Sequence, residues 1–386
     1  MRVSLVTTSK FHTLDLATQL QKHGALHELI AGYPRWKLGE VAGVPSDKIT
    51  TFPWFLTPMM ALMKAGHGES GLARELEWAG LKGVDRFASK RMSGVDALIA
   101  LSGAGTASGA AVQMAGGKWI CDRGAAHLEW QNECLRKAYD EAGVAWKGID
   151  PRKLDRELKE YQDCDVIYVP SNFVKETFID KRFDPAKIEV HRLGAILPDI
   201  ASAEARVKNE RFRMIGAGQL GVQKGVHILE KALQRLDFPF EMRWAGFPLP
   251  EASAIYHRMQ VREHLNLLGH LSFAELRAEL SQADLLILPS MQDGFGMVVA
   301  EAMACGTPVV VSNAAGASEI VENGRTGFVV MSGNDEDLAM KIAWMHDHPA
   351  EREEMGLLAR DSVQKLGGWD EYGRGVIVSL KSLTGN

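Results

Sequence analysis

Short apolar runs alternate with amphipathic stretches along almost the whole chain. Runs such as Ala97–Leu101 and Leu285–Leu288 are typical of strands buried on both faces of a sheet. Stretches with apolar residues at three- and four-residue spacing, such as Val226–Leu236 and Phe273–Ala283, predict helices. The alternation predicts parallel α/β sheets with right-handed crossovers. The further predicted strands are Arg2–Val6, Lys118–Cys121, Val166–Val169, Ile188–Arg192, Phe212–Gly216, Glu241–Ala245, Pro308–Val311 and Gly327–Val330.

The alternation is interrupted at residues 194–210, which are polar, contain a proline and have no clear strand. A new strand pattern begins directly after this stretch. A chain of 386 residues is also too long for one ordinary domain. We therefore predict two Rossmann-like domains, at 1–198 and 199–368, whose parallel sheets face a central cleft. A last helix, at 369–386, is expected to pack back on the first domain.

Composition and charge narrow the class of protein. The chain is 46% hydrophobic and 24% charged, a balance typical of a soluble globular protein. Its net charge of −5, with no basic stripe interleaved with aromatics, argues against a nucleic-acid binder. The four cysteines lack paired or metal-ligand spacing, and no signal-peptide core or membrane-spanning run is visible. These features predict a cytoplasmic protein, or one held peripherally at the inner face of a membrane, without a metal site.

The segment Phe52–Lys64 differs from the rest of the first half. It is apolar and aromatic, with two prolines and one charge at its end. One interpretation is a buried loop and helix of the first domain. The other is a surface that meets lipid or a lipid-linked acceptor.

The most informative local pattern is Leu285–Val311. An apolar strand is followed by a loop with Gly294 and Gly296 and then by a helix. Such a loop lets backbone N–H groups approach a ligand, and the helix N-terminus favours an anion such as a diphosphate. Asp293 and Glu301 lie eight residues apart and could address different hydroxyl groups of one elongated ligand. A helix cap at Asp293 and a solvated charge at Glu301 are the alternatives.

A second strand that ends in glycines lies at Met214–Leu229. It carries Gly216, Gly218 and Gly221, with Lys224 just before an amphipathic helix. A lysine at this point places its ammonium beside phosphate oxygens as a point charge. A solvated lysine at a helix start is the alternative.

Together the two patterns resemble the donor-binding domain of family 4 glycosyltransferases, which have the GT-B fold. That family typically shows Gly-Arg-Leu-x-x-x-Lys-Gly and, some 70–80 residues later, Ser-x-x-Glu-Gly-Phe-Gly with a second Glu in the next helix. The segments EAMACGTPVVVS and GASEIVENGRTGFVV are also similar to the family, as is CDVIYVPSNFVKETFI in the first half. The resemblance covers residues 160–380 closely and the first 120 residues in outline.

The resemblance implies roles for the donor-site residues. Lys224 would bind the donor diphosphate and neutralise the leaving group, and Glu301 would accept hydrogen bonds from the ribose hydroxyls. Asp293 replaces the family's first glutamate, which holds sugar hydroxyls, and Gln219 replaces the family's arginine. Loss of that cation would cost on the order of 2–4 kcal/mol of transition-state stabilisation unless another cation, such as Lys10, Arg123 or Arg243, takes its place. The remaining implied donor contacts are Gly218, Gly269, Gly294, Phe295, Gly296 and Met297.

The first domain contributes acceptor-side candidates by the same analogy. A histidine after the strand Lys118–Cys121 would reach the donor sugar, and His127 is the first choice, with Asp122 and Arg123 as rivals. A buried histidine with a satisfied backbone is the alternative for His127. The family's glycine pair after the first strand is replaced here, so that Lys10 and His12 occupy the acceptor side.

The implied activity is transfer of a hexosyl group from a nucleoside diphosphate sugar to an acceptor hydroxyl, with retention and without a metal or other cofactor. The expected acceptor is a surface glycan, a glycolipid or a small molecule. One alternative is a use of the same fold on free sugars or phosphate. Another is a catalytically weakened homologue that binds a nucleotide sugar or glycan as a scaffold or partner subunit.

Overall fold

The computed structural model describes residues 1–8, 10–68, 70–195, 211–262 and 265–385. Over these ranges the strands form two parallel sheets, one of seven strands and one of six. The first sheet has the order β3-β2-β1-β4-β5-β6-β7, and the second has the order β10-β9-β8-β11-β12-β13. The predicted α/β class is confirmed.

The first sheet and its helices occupy the first half of the chain. Helices precede and follow the strands as crossovers, so that all strands run parallel. Their bounds are β1 Val3–Thr7, α1 Thr13–Lys22, β2 Leu26–Ala31, α2 Arg35–Leu38, β3 Ile49–Thr51, α3 Leu56–Lys64, α4 Gly71–Ser89, β4 Ala97–Leu101, α5 Thr106–Met114, β5 Lys118–Asp122, α6 Leu128–Glu141, α7 Pro151–Asp163, β6 Val166–Val169, α8 Asn172–Asp180 and β7 Ile188–Val190.

The second sheet and its helices follow, together with a short 3₁₀ turn at Val222–Lys224. The bounds are β8 Phe212–Ala217, α9 Val226–Leu233, β9 Phe240–Ala245, α10 Ser253–Arg262, β10 Leu265–Gly269, α11 Phe273–Gln282, β11 Leu285–Leu288, α12 Met297–Ala304, β12 Val309–Ser312, β13 Gly327–Val330, α13 Asp335–Asp347, α14 Pro349–Gln364 and α15 Gly368–Thr384.

Every strand predicted from the apolar pattern is present, within a residue or two at its ends. The pattern missed β2, β3 and β10. In β2 the polar residue Glu28 is buried, because its carboxylate accepts hydrogen bonds from Arg91 and from Thr50 of β3. A paired charge inside a strand removes the apolar run by which the other strands were recognised.

Both sheets are covered by apolar side chains on both faces, as parallel sheets require. The packing of Trp244 on β9 shows how close the neighbouring strands come. A Cβ atom at Gly216 on β8 would lie 2.3 Å from the indole ring, so only glycine fits there. Gly216, the next-to-last residue of β8, thus allows the indole to lie close to the end of this strand.

The last helix, α15, packs on the first sheet. Tyr372, Val376 and Leu380 are buried in the core of that sheet, and the Tyr168 hydroxyl lies 2.6 Å from the Ser379 hydroxyl. The start of α15 lies against the segment that follows β7, since a Cβ atom at Gly194 would lie 2.3 Å from the Trp369 nitrogen. The division at 198 and 199 stays a prediction, because both residues lie outside the described ranges.

The segment Phe52–Lys64 lies at the surface. Leu56 is buried, but Trp54 and Met63 are exposed, so the interpretation as a buried loop and helix is wrong for most of the segment. Within the described ranges, no helix has the length and apolar content needed to cross a bilayer.

Candidate functional site

Lys224 and Asp293 meet at the carboxyl ends of two neighbouring strands. Lys224 follows β8 and Asp293 follows β11, and these strands pair directly. The Lys224 ammonium forms an ion pair and hydrogen bond with Asp293 Oδ2. A Cβ atom at Gly218 would lie 3.1 Å from the Lys224 Cε atom, so the lysine stem crosses directly over this glycine. The predicted phosphate-binding lysine and sugar-binding carboxylate therefore form one pair.

The loop between Asp293 and α12 is shaped by two glycines. Gly296 has φ +87°, a backbone conformation that side chains other than glycine rarely adopt. A Cβ atom at Gly296 would also lie 2.8 Å from Leu288. The loop ends at Met297, where α12 begins with N–H groups that have no acceptor inside the helix. This arrangement leaves backbone donors at the start of α12, and the binding of an anion there stays a prediction.

Glu301 lies one turn further along α12. Its side chain is half-buried, and burial raises the pKa of its carboxyl above the ordinary value. No hydrogen bond or ion pair to this carboxylate occurs within the described residues. A carboxylate that is partly withdrawn from water and has no partner gains from a ligand that donates hydrogen bonds. Glu301 is therefore suited to bind hydroxyl groups.

Gly218, Gly246 and Gly269 lie together where β8, β9 and β10 end. The Trp244 indole N–H donates to the Gly218 carbonyl at 2.8 Å, and Gly246 bridges to Gly269. Beside them lies Phe247, which is 62% exposed and whose ring would be 3.5 Å from a Cβ atom at Gly269. Sequence reasoning missed Phe247, although an aromatic residue directly after a buried strand is a visible sign of a ligand surface. Its exposed ring can stack on a planar base.

In the first sheet, His12 and Asp122 form a pair that the sequence named only as separate candidates. The His12 Nε2 atom lies 2.8 Å from Asp122 Oδ2, and both side chains are nearly buried. Burial lowers the pKa of His12, but the charge and hydrogen bond of Asp122, with the charge of Asp15, outweigh it, so the pKa of His12 is raised. His12 follows β1 and Asp122 is the last residue of β5, so the pair lies at the carboxyl edge of the sheet.

The two sheets meet through the loops that carry these pairs. A Cβ atom at Gly294 would lie 1.9 Å from the Gly124 carbonyl oxygen, so the two backbones are in direct contact. The Ser171 hydroxyl donates to the Gly294 carbonyl at 2.8 Å. A Cβ atom at Gly124 would lie 3.3 Å from the His12 ring. The His12–Asp122 pair and the Lys224–Asp293 pair therefore belong to loops that touch.

The expectation that His127 reaches the donor sugar is not met. Its ring is 1% exposed and lies among Tyr161, Phe178 and Phe183, with ring centroids 4.9–5.2 Å away. Neither ring nitrogen has a hydrogen-bond partner within the described residues, while the backbone N–H donates to Thr177. Burial, together with the neighbouring charges of Arg123 and Lys181, lowers the pKa of His127 to about 3. His127 is a buried neutral histidine.

Two of the three candidate replacements for the family's arginine are engaged elsewhere. Arg123 is buried and binds Glu157 and the Ala126 carbonyl. Arg243 binds Glu241 and Glu279. Lys10 is exposed in the loop after β1, and Gln219 is exposed beside Gly218. Of the proposed cations, Lys10 alone lies at the carboxyl edge of a sheet without a described acidic partner.

The described residues contain no group of three or more His, Cys, Asp or Glu side chains placed to hold a metal ion. The prediction that a metal is not needed remains to be tested by experiment.

Residues 199–361 match the family model of the glycosyl transferases group 1. A D-inositol 3-phosphate glycosyltransferase of Paenarthrobacter aurescens is 31% identical over 171 residues, which are 42% of this chain and 42% of that protein. The glycogen synthase of Mycobacterium tuberculosis is 32% identical over 198 residues, 50% of this chain and 48% of that protein. The chain thus spans about half the length of these relatives or less.

Solved structures match the whole chain. An Anabaena protein, HepE, in complex with UDP-glucose has a TM-score of 0.73 at 17% identity, over 99% of this chain and 100% of that one. Sucrose-phosphate synthase from Thermosynechococcus elongatus has a TM-score of 0.71 at 18% identity, over 99% of both chains. At this identity the likeness concerns the fold, which is that of GT-B glycosyltransferases. The chain therefore has the GT-B fold, and its residues 199–361 are similar to the glycosyl transferases group 1.

Proposed function

We propose that this protein transfers a hexosyl group from a nucleoside diphosphate sugar to an acceptor hydroxyl, in the synthesis of a surface glycan or glycolipid. The observation that carries the proposal is the joint placement of Lys224, the Gly294–Gly296 loop and the unpaired Glu301 at one edge of the second sheet. A cation, backbone donors and a hydroxyl acceptor are the three groups that a nucleoside diphosphate sugar requires.

In this proposal the donor lies along that edge in a fixed direction. The base stacks near Phe247 and Gly269, and Glu301 accepts hydrogen bonds from the ribose hydroxyls. The diphosphate lies between Lys224 and the N-terminus of α12, where the positive end of the helix dipole stabilises it. The sugar lies against Asp293. Diphosphate binding draws Lys224 away from Asp293, which frees the carboxylate for the sugar hydroxyls.

The proposed chemistry needs no side-chain nucleophile and no metal. The bond from the anomeric carbon to the leaving phosphate breaks while the acceptor oxygen approaches from the same face, which gives retention. The acceptor proton goes to the leaving phosphate oxygen. The protein contributes positioning and electrostatic stabilisation. The His12–Asp122 pair lies across the loop contact and is proposed to hold the acceptor hydroxyl, with Lys10 as the added cation.

A second function has one observation in its favour. Asp293 already neutralises Lys224, and Gln219 supplies no charge, so the leaving-group side has less free positive charge than the family pattern provides. A weakened homologue that binds a nucleotide sugar or glycan as a scaffold or partner subunit would show these features. Donor turnover separates the two functions, since the scaffold would bind a donor without cleaving or transferring it.

The experiment begins with a thermal-shift screen of uridine, guanosine and adenosine diphosphate sugars, because a ligand of the native state raises the unfolding temperature. Release of nucleoside diphosphate is then measured with the donor found. We expect Lys224→Ala to lower this turnover by about 10²–10³-fold, since it removes a charge that stabilises the leaving group. Lys231→Ala, at an exposed lysine on α9, is the control and should keep full turnover.

Full turnover by Lys224→Ala would contradict the phosphate assignment. Micromolar binding of a donor that is never cleaved or transferred would favour the scaffold instead. The same assay tests the finer parts of the proposal. Product formed with an excess of chelator supports catalysis without a metal, and the anomeric configuration of the product, measured by NMR, is expected to equal that of the donor.

A further inference from the structure

The segments that follow β2 and β3 carry large exposed apolar side chains. Trp36 on α2 is 77% exposed, Trp54 before α3 is 74% exposed, and Met63 near the end of α3 is 56% exposed. Leu72 at the start of α4 is 61% exposed. These four residues are called the apolar face below. Because β3, β2 and β1 are neighbours and parallel, the loops at their carboxyl ends lie side by side.

The helix α3 supports this face in an unusual way. Its sequence, LTPMMALMK, is apolar except for a threonine and the terminal lysine, yet Leu56 is its only buried residue. The segment is anchored on its inner side by glycines of α4. A Cβ atom at Gly80 would lie 2.6 Å from the Leu56 side chain, and one at Gly83 would lie 3.2 Å from the Phe55 ring. The apolar face is thus held in place from within, while its outer side has no packing partner among the described residues.

Among the described residues around the apolar face, the exposed charges are mainly positive, although the whole chain has a net charge of −5. The two acids of α4 nearest to it, Glu75 and Glu77, each form an ion pair with a base of α7. Glu40 is an exposed acid in the same region. The exposed bases in this region are Arg35, Lys37, Lys64 and Arg74.

We propose that the apolar face docks on a lipid bilayer that carries anionic headgroups. Tryptophan and methionine side chains enter the boundary between headgroups and acyl chains, and lysine and arginine beside them bind anionic headgroups. A second copy of the chain fits the face less well. A two-fold contact would bring the same bases of both copies against each other.

The docked orientation follows from the sheet. The apolar face lies at the carboxyl edge of β1, β2 and β3, and His12 follows β1 at the same edge. Docking therefore turns the acceptor side of the cleft towards the membrane. In this respect the inference rests on the proposed function, and it identifies the acceptor class as lipid-borne.

The test is sedimentation of the full chain with vesicles, without donor or acceptor. We expect at least tenfold tighter binding to vesicles that contain phosphatidylglycerol than to vesicles of phosphatidylcholine alone. Trp54→Ser with Met63→Ser should weaken binding at least tenfold, and Lys37→Glu with Lys64→Glu should abolish the preference for the anionic lipid. The controls are Met340→Ser, at a methionine that is 61% exposed on α13, and Lys381→Glu, at an exposed lysine on α15.

Equal binding to both vesicle types, or equal losses in the test and control variants, would overturn the proposal. So would a wild-type dimer in light scattering that Trp54→Ser with Met63→Ser converts to a monomer while no vesicle binds. Vesicle binding and donor turnover are separate measurements, and the loss of one does not require the loss of the other. Lys224→Ala should abolish donor turnover and leave vesicle binding at the wild-type level, so failure of the proposed function is distinguished from failure of this one.

Discussion

At the scale of single residues, His127 links burial to acid stability. Burial places its folded-state pKa at about 3, below the ordinary value of 6.5. A group whose folded-state pKa is lowered adds stability above its unfolded-state pKa, and this stability is lost as the pH falls through the interval between the two values. For His127 the interval runs from about 6.5 down to about 3. His227 is also buried, with a pKa of about 4, and acts in the same direction.

We therefore expect His127→Phe to make the protein less sensitive to acid. A phenyl ring fits the site among Tyr161, Phe178 and Phe183 and removes two ring nitrogens without partners. Between pH 7 and pH 4.5 the wild type should lose about 2 kcal/mol through this residue alone, and the variant should not. Urea unfolding at the two pH values measures the difference. His23→Phe, at an exposed histidine, is the control, and an equal acid loss in wild type and His127→Phe would contradict the assignment.

Residue types and spacing predicted the part of the site on the second sheet better than the part on the first sheet. Lys224 and Asp293 each follow a strand that the apolar pattern identified, so their meeting at one sheet edge could be expected. The pair of His12 and Asp122 could not, because these residues are 110 positions apart and their contact depends on the order of β1, β4 and β5. His127 was misplaced because a sequence does not show on which side of a loop a ring is buried.

At the scale of elements, the contact between the loop after β5 and the loop after β11 has little room for change. Gly294→Ala would place a methyl group 1.9 Å from the Gly124 carbonyl oxygen, and a backbone atom cannot move aside as a flexible side chain can. We expect the two loops to separate and donor turnover to fall at least tenfold, because small displacements of positioned groups are costly in catalysis.

Two measurements make this expectation specific. Nucleoside diphosphate release gives the loss of turnover, and thermal unfolding shows whether the fold is retained. Gly71→Ala is the matched control, since a Cβ atom at Gly71 has no atom within 4 Å. Wild-type turnover in Gly294→Ala would show that the loop contact is not needed for donor chemistry.

The exposure of helix α3 could not be predicted from its own sequence. Its apolar sequence left a buried helix and a lipid-facing surface as open alternatives. The outcome depends on Gly80 and Gly83 of α4, which let Phe55 and Leu56 approach closely and leave the other residues of α3 outside. Because these glycines belong to another helix, the periodicity of α3 alone could not reveal this packing.

At the scale of the whole molecule, several contacts between described residues join the two halves besides the loop contact, and three of them are considered in turn. Leu135, Ala138 and Tyr139 of α6 pack on Val222, in the 3₁₀ turn that carries Lys224. The Tyr139 hydroxyl donates to Glu251 at 3.0 Å. Glu319 of the second half accepts a hydrogen bond of 2.7 Å from the Phe173 N–H, at the N-terminus of α8 in the first half. These contacts flank the proposed donor site.

A donor that binds at this junction should favour the arrangement in which the two halves touch, because it gains contacts with both only there. We therefore expect a nucleoside diphosphate sugar to lower the radius of gyration in solution scattering. Glu319→Ala should weaken this donor-induced change and raise the donor concentration at which the change occurs. Glu319 supplies an anion to the N-terminus of α8, an interaction of about 1 kcal/mol, so the shift in required concentration should be about fivefold. Glu322→Ala is the control, because Glu322 pairs with the exposed Arg325 in the same half of the molecule. Scattering that is unchanged at saturating donor would show that the two halves do not close over it, and a Glu319→Ala variant with wild-type behaviour would show that the α8 contact has no part in closure.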